Sequence, residues 1–288
     1  MTLNPDTPQG NRPTVGSLFA GIGGFDLGFE HAGFTTRWQV EIDPLCRAVL
    51  ADRFPHAQQL VDVREVGTHN LEPVDVLVGG FPCQDLSSMG KQRGLAGNRS
   101  GLFFEVCRLL RELQPRWVVL ENVTGLLACN DSQDFQTVVQ SLAECGYVGL
   151  WRVLDARYFG VPQARRRVFL VGGLGRQPPM ELLADAAAVA AVPGPSRSQS
   201  IPCEADRWPA NTLLASNTPS RIALGCEVLV AHAGLRDSMV ERGRAAADHG
   251  LCLGLDAANF TEARAAGNAV VPQVAQWIAG HLMRAIQT

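Results

Sequence analysis

Gly79-Gly80-Phe81-Pro82-Cys83-Gln84 places a thiol just after an apolar run, Val74-Asp75-Val76-Leu77-Val78. Such a run reads as a buried strand, and the mouth of a central strand in an α/β sheet is where ligands bind. A thiolate is a soft nucleophile suited to adding to an electron-poor carbon. Further on, Glu121-Asn122-Val123 ends a second apolar run. A carboxylic acid there can protonate a ring under attack and make the attacked carbon more electrophilic. Taken alone, Cys83 would more often be structural than catalytic, and Glu121 could be a strand-end cap. Both at strand ends beside a glycine turn favour catalysis.

That turn is Ser17-Leu18-Phe19-Ala20-Gly21-Ile22-Gly23-Gly24. Its glycines let the backbone turn sharply and approach a ligand closely. Glu41 ends the next strand and Asp62 the one after. A carboxylate at the position of Glu41 can accept hydrogen bonds from both hydroxyls of a ribose. The bland alternative is a tight turn with solvent-exposed carboxylates. Nicotinamide and flavin nucleotides are rival ligands, but Gly-x-Gly-Gly matches the dinucleotide pattern Gly-x-Gly-x-x-Gly poorly.

Two further clusters lie downstream. Gln163-Ala164-Arg165-Arg166-Arg167 follows Phe159-Gly160-Val161-Pro162, and a basic turn at a strand entrance can hold a phosphate or a base carbonyl oxygen. Three adjacent arginines can equally be a solvated charge cluster. Gly267-Asn268-Ala269-Val270-Val271-Pro272 precedes the last helix and can be a simple turn and cap.

The elements that position these residues alternate. Strands are expected over 15–19, 36–40, 59–61, 74–78, 117–120, 147–155 and 167–172. Helices are expected over 25–32, 43–53, 103–113, 135–145 and 272–286, with Asp43 and Pro44 opening the second. This alternation implies an α/β protein with a mostly parallel sheet covered on both faces. Residues 173–207 hold prolines and an alanine run and read as a linker with an irregular segment.

The whole chain sets outer bounds. Its 288 residues, 46% hydrophobic, suit one large α/β domain or a domain with a smaller appendage. The eight cysteines form no C-x-x-C pair, so neither a zinc site nor a disulfide framework is expected. No apolar run reaches the roughly 18–20 residues that span a bilayer. Residues 1–12 lack the apolar core of a signal peptide, so a short disordered lead and a cytoplasmic location are expected. A net charge of −3 speaks against a large phosphate-binding surface.

Together and in this order, the motifs resemble the cytosine-C5 DNA methyltransferase family. The matches are Phe19-x-Gly21-x-Gly23-Gly24, Glu41, Asp62, Pro82-Cys83-Gln84, Glu121-Asn122-Val123, Gln163-x-Arg165-x-Arg167 and Gly267-Asn268. Gly90-Lys91-Gln92-Arg93-Gly94 and Gly101-Leu102-Phe103-Phe104-Glu105 look like the family's mobile catalytic loop and the helix after it. Lys91, the only lysine of the chain, falls in that loop.

The resemblance implies a Rossmann-like S-adenosylmethionine-dependent methyltransferase fold with a small irregular target-recognition domain. The implied organisation is a lead over 1–13, a catalytic and cofactor-binding domain over 14–175 and target recognition over 176–264. Residues 265–288 would return to the catalytic domain. The implied cofactor is S-adenosylmethionine, lined by Phe19, Gly21, Gly23, Gly24, Phe81, Leu102 and Asn268, with Glu41 on the ribose and Asp62 near the adenine amino group. Cys83 would attack C6 of a flipped-out cytosine and Glu121 would protonate N3, with Arg165 and Arg167 holding the base and the catalytic elements. Ser87, Gly90, Lys91, Gln92 and Arg93 would belong to the mobile loop, and no metal is implied.

The implied partner is double-stranded DNA with a short target sequence, read by an enzyme expected to be a monomer, with a cognate restriction endonuclease as a candidate companion. Residues 176–264 are short for a recognition domain, and their arginines are outnumbered by Asp and Glu. Two alternatives therefore stand: an RNA (tRNA) cytosine-C5 methyltransferase on the same scaffold, and an inactive nucleic-acid-binding homologue.

Overall fold

Strands whose side chains alternate between two apolar faces need cover on both, and this chain supplies a helical layer for each. The computed structural model describes residues 12–82, 101–161, 163–183, 210–211 and 268–287. Its strands are β1 (Thr14–Leu18), β2 (Thr35–Val40), β3 (Gln58–Leu60), β4 (Val76–Gly80), β5 (Trp117–Val123), β6 (Tyr147–Asp155), β7 (Gln163–Ala164), β8 (Arg166–Leu174) and β9 (Ala210–Asn211). Its helices are α1 (Gly24–His31), α2 (Pro44–Arg53), α3 (Leu102–Leu113), α4 (Gln133–Glu144) and α5 (Pro272–Gln287). Cys83, Ser87, Gly90, Lys91, Gln92, Arg93 and most of the expected recognition region lie outside the described residues.

Seven strands form one sheet in the order β3-β2-β1-β4-β5-β8-β6. The first five are parallel, and β8 runs antiparallel to both β5 and β6. The order reverses between β1 and β4, so a crevice opens beyond their carboxyl ends. The turn after Leu18 and the Gly79-Gly80-Phe81 strand end both meet this crevice.

Side-chain alternation assigns the faces. Val76 and Val78 of β4, with Trp117 and Val119 of β5, pack in one core with Phe25, Phe29, Ile278 and Leu282. Leu77, Val118 and Leu120 point the other way, into a core with Phe103, Leu109 and Val138. The first core is closed by α1 and α5, the second by α3 and α4. Burying such side chains supplies about 1.5–3 kcal/mol each. Gly28 lets α5 approach α1: a Cβ there would stand 2.5 Å from the Pro272 carbonyl oxygen and 2.6 Å from Ala275 Cβ.

Most element boundaries shift by a residue or two from the sequence expectation, and two of the shifts have a clear physical reason. β4 begins at Val76, not Val74, because Asp75 is diverted: its carboxylate accepts from the Thr14 amide at 2.7 Å and the Thr14 hydroxyl at 2.9 Å. β5 continues past Leu120 to Val123 because β8 pairs with it there, Glu121 against Phe169 and Val123 against Arg167. The opening of α2 follows the expectation. Asp43 caps it, accepting from Leu45 N at 2.8 Å, with Pro44 at the first position.

Candidate functional site

The glycine turn is held in left-handed backbone. Phe19, Gly21 and Gly23 have φ of 52°, 56° and 86°. Glycine adopts such angles without strain, whereas Phe19 does so at a cost. Gly23 N donates to Ala20 O at 2.9 Å and closes the turn. Nothing lies within 4 Å of where a Gly21 Cβ would be, so its backbone faces open space. Gly24 has a different reason: a Cβ there would collide with the Val270 carbonyl oxygen at 2.1 Å. Its bare backbone therefore serves contact with the segment that leads into α5.

Glu41 fixes the turn to the end of β2. Its Oε2 accepts from Gly21 N at 2.7 Å and its Oε1 from Asp43 N at 2.8 Å. The residue is only 9% exposed, so the alternative of a solvent-exposed strand-end carboxylate does not hold for it. Asp62, two residues beyond β3, caps a 3-10 turn over Val63–Glu65. Its carboxylate is paired with Arg64, Nη2 to Oδ2 at 2.6 Å and Nε to Oδ1 at 2.9 Å. That pairing holds its pKa below the usual carboxylate range.

Glu121, Arg165 and Arg167 come together at the end of β5. Glu121 is 7% and Arg165 3% exposed, so the arginine run is not simply a solvated cluster. Arg167 Nε lies 3.0 Å and Arg165 Nη2 3.9 Å from Glu121 Oε1. Burial pushes the Glu121 pKa up, and the charges of Arg165 and Arg167 oppose that rise. Burial, reinforced by Arg167, lowers the Arg165 pKa to about 10. The antiparallel β8 makes this meeting possible, because its first residues enter the sheet where β5 ends. Gly80 pairs with Glu121 across β4 and β5. Asn122 Nδ2 donates to Phe81 O at 2.9 Å and ties the strand end that precedes Cys83 to β5.

Other expected residues are placed less centrally. Phe81 is buried against Phe103, ring centroids 5.1 Å apart. Leu102 opens α3 and packs on the same core. Asn268 is exposed, two residues before the Val270 that meets Gly24.

Sequence reasoning passed over two features. One is a buried polar group of Ser17, Asp26 and Gln39, none of them exposed. Burial lifts the Asp26 pKa to about 7 against the pull of Gln39 and Ser17, with the Glu30 charge adding to the rise. The signal was Ser17 and Gln39 at inward strand positions and Asp26 inside an apolar helix stretch. The other is Arg108, whose signal was Glu105-x-x-Arg108-x-x-x-Glu112 on one helix face. Among the described residues no group of three metal-ligating side chains occurs, and no helix is long and apolar enough to cross a membrane.

Comparison with known proteins finds related sequences and folds. The family model for C-5 cytosine-specific DNA methylase matches residues 14–205. The chain is 40% identical over 168 residues to the Type II methyltransferase M2.BsuMI of Bacillus subtilis, covering 57% of this chain and 43% of that protein. It is 37% identical over 161 residues to the Type II methyltransferase M.Bsp6I of a Bacillus species, covering 55% and 51%. The chain thus spans about half the length of the curated relatives it matches. Among solved structures, S. pombe Dnmt2 methyltransferase superposes with a TM-score of 0.67 at 16% identity, covering 96% of this chain and all of that one (100%). Entamoeba histolytica methyltransferase EhMeth does so with a TM-score of 0.62 at 14% identity, covering 96% and 100%. At these identities the superpositions speak for the fold.

Proposed function

The chain belongs to the C-5 cytosine-specific DNA methylase family, and from that premise we propose that it methylates C5 of a flipped-out cytosine in DNA, with S-adenosylmethionine as donor. The observation that carries the proposal is the buried Glu121 at the strand end beside β4, with Arg165 and Arg167 against it.

The donor fits the residues present. It carries an amino-acid carboxylate, a ribose diol and an adenine amine. The turn at Gly21 and the N-terminus of α1 suit the first, the oriented oxygens of Glu41 the second and Asp62 the third. When bound, it supplies an electrophilic methyl group on a sulfonium sulfur.

The chain's own residues do the rest. C5 of cytosine is a poor nucleophile until addition at C6 breaks the ring's aromaticity. The Cys83 thiolate forms a bond to C6, and the electron pair displaced toward N3 takes the proton of Glu121. Burial favours the protonated acid that this step needs. Arg165 and Arg167 stabilise the carboxylate left behind. After transfer, water takes the C5 proton, the electron pair freed at C5 forms the C5–C6 double bond and expels Cys83 as thiolate, and N3 returns its proton to Glu121, which restores both ring and acid. Neither ring carbon is reachable inside a duplex, so the base has to leave the stack. The catalytic domain is assigned to residues 14–175 with 265–288, and target recognition to 176–264. A restriction endonuclease recognising the same sequence is the companion that this reading suggests.

Bisulfite sequencing of plasmid DNA tests the proposal, in a host lacking cytosine methylation. Expression of the chain should protect cytosines in one short sequence, and Cys83→Ala should abolish protection. Unprotected DNA alongside methylated host tRNA would move the substrate to RNA. Protection that survives Cys83→Ala would remove the covalent mechanism.

A further inference from the structure

Arg108 sits on α3, outside the motifs that carry the family resemblance, yet its guanidinium grips the turn that carries Asp62. Nη2 donates to the carbonyl oxygens of Val63 at 3.0 Å and Val66 at 2.9 Å. Nε donates to Glu105 Oε2 at 2.7 Å and Nη1 to Glu112 Oε1 at 2.9 Å. The two carboxylates lie one turn to either side on the same helix face, so they fix the guanidinium plane as well as its charge.

Glu112 adds a second hold on the same segment. Its carboxylate accepts from the Thr68 backbone. Gly67 makes room for it, since a Cβ there would stand 2.7 Å from Glu112 Oε2. The far end of α3 is anchored separately, where Phe103 packs on Phe81 at the end of β4. Helix α3 is thus a strut between the strand end that leads to Cys83 and the turn that begins at Asp62.

Asp62 needs such support. Arg64 fixes its carboxylate relative to the turn, through Nη2 to Oδ2 at 2.6 Å. That leaves the turn itself to be fixed relative to the sheet. β3 has only three residues and is an edge strand, so it holds the turn weakly. The carbonyls of Val63 and Val66 flank the turn, and Arg108 ties both to α3.

We propose that Arg108 is a positioning residue that sets the Asp62 carboxylate for the adenine amine of the cofactor, by clamping the Val63 and Val66 carbonyls to α3. The inference rests on the reading of Asp62 as the adenine contact. Lysine cannot replace Arg108, because one ammonium on a flexible stem cannot serve these acceptors in a plane.

The test is calorimetric binding of S-adenosylhomocysteine to the full chain, to Arg108→Gln, Arg108→Lys and Asp62→Asn, and to the Arg108→Gln/Asp62→Asn double variant. Both Arg108 variants should weaken binding about tenfold, and the Arg108→Gln effect should shrink to less than about twofold when Asp62 is already changed. Native-state hydrogen exchange should quicken at residues 63–68 in Arg108→Gln and stay unchanged in β1 and β4. The same loss in both backgrounds would make Arg108 a general structural residue and overturn the inference, as would wild-type affinity in Arg108→Gln. A wild type that does not bind S-adenosylhomocysteine would overturn the cofactor reading itself, a result distinct from either.

Discussion

Gly80 lies directly across the β4–β5 pairing from Glu121, and a Cβ added to it would stand 3.3 Å from Glu121 Oε2. A side chain at position 80 would therefore press on the acid. Gly80→Ala is expected to displace the carboxylate by a few tenths of an ångström. Turnover should fall about tenfold while S-adenosylmethionine affinity stays within about twofold, since small misplacements at a reacting centre act on the chemical step. Single-turnover methylation beside calorimetry separates the two effects.

Arg167 sets how readily Glu121 holds a proton. Its guanidinium opposes the upward pull of burial on the Glu121 pKa. Arg167→Met removes that charge, so the Glu121 pKa should move further up. A carboxyl carbon NMR titration of wild type and variant reads this directly. A lower value in the variant would refute the assignment of Arg167 as a group that, with Arg165, restrains Glu121.

Asp26 makes stability depend on pH. Its carboxyl titrates at about 7 in the folded chain, against about 3.9 when unfolded. Between these values the folded state keeps a proton that the unfolded state has released, so stability falls as pH rises. The slope from this group is about 1.4 kcal/mol per pH unit, full stabilisation lying below the unfolded value and loss being complete above the folded one. Asp26→Asn should flatten urea-derived stability between pH 5 and 7 and leave the variant relatively more stable at pH 8.

The packing of α5 on α1 gives a matched pair of glycine substitutions. Gly28→Ala drives a methyl to 2.5 Å from the Pro272 carbonyl oxygen, and overpacking of this kind costs about 1–3 kcal/mol. Gly280 lies inside α5 with nothing within 4 Å of its absent Cβ. Gly280→Ala should therefore stabilise by about 0.5–1 kcal/mol through helix propensity. Urea midpoints of the two variants should move in opposite directions.

The sheet was readable because its strands are local: Val76-Leu77-Val78 and Trp117-Val118-Val119-Leu120 announce themselves by composition. What sequence could not show was partnership. The extension of β5 to Val123 depends on β8, which lies far along the chain, and the late start of β4 depends on Thr14 capturing Asp75. Glu121, Arg165 and Arg167 were nameable one by one, but their meeting needs the reversed direction of β8. Arg108 and Asp26 were passed over because a salt-bridged helix arginine and an acidic residue in a first helical turn are ordinary in sequence. Only their backbone carbonyl contacts and their burial set them apart.

β8 follows β6 in the chain but lies between β5 and β6 in space. During synthesis, then, the β5 edge that carries Glu121 stays uncovered until the last strand of this sheet has been made and has slid into place. The glycine turn is backed by Val270, in the segment that leads into α5, so it too is completed only by chain made after β8. Both halves of the site therefore wait for late chain, the acid for β8 and the cradle for the segment before α5, so neither is finished while only the first strands have been made.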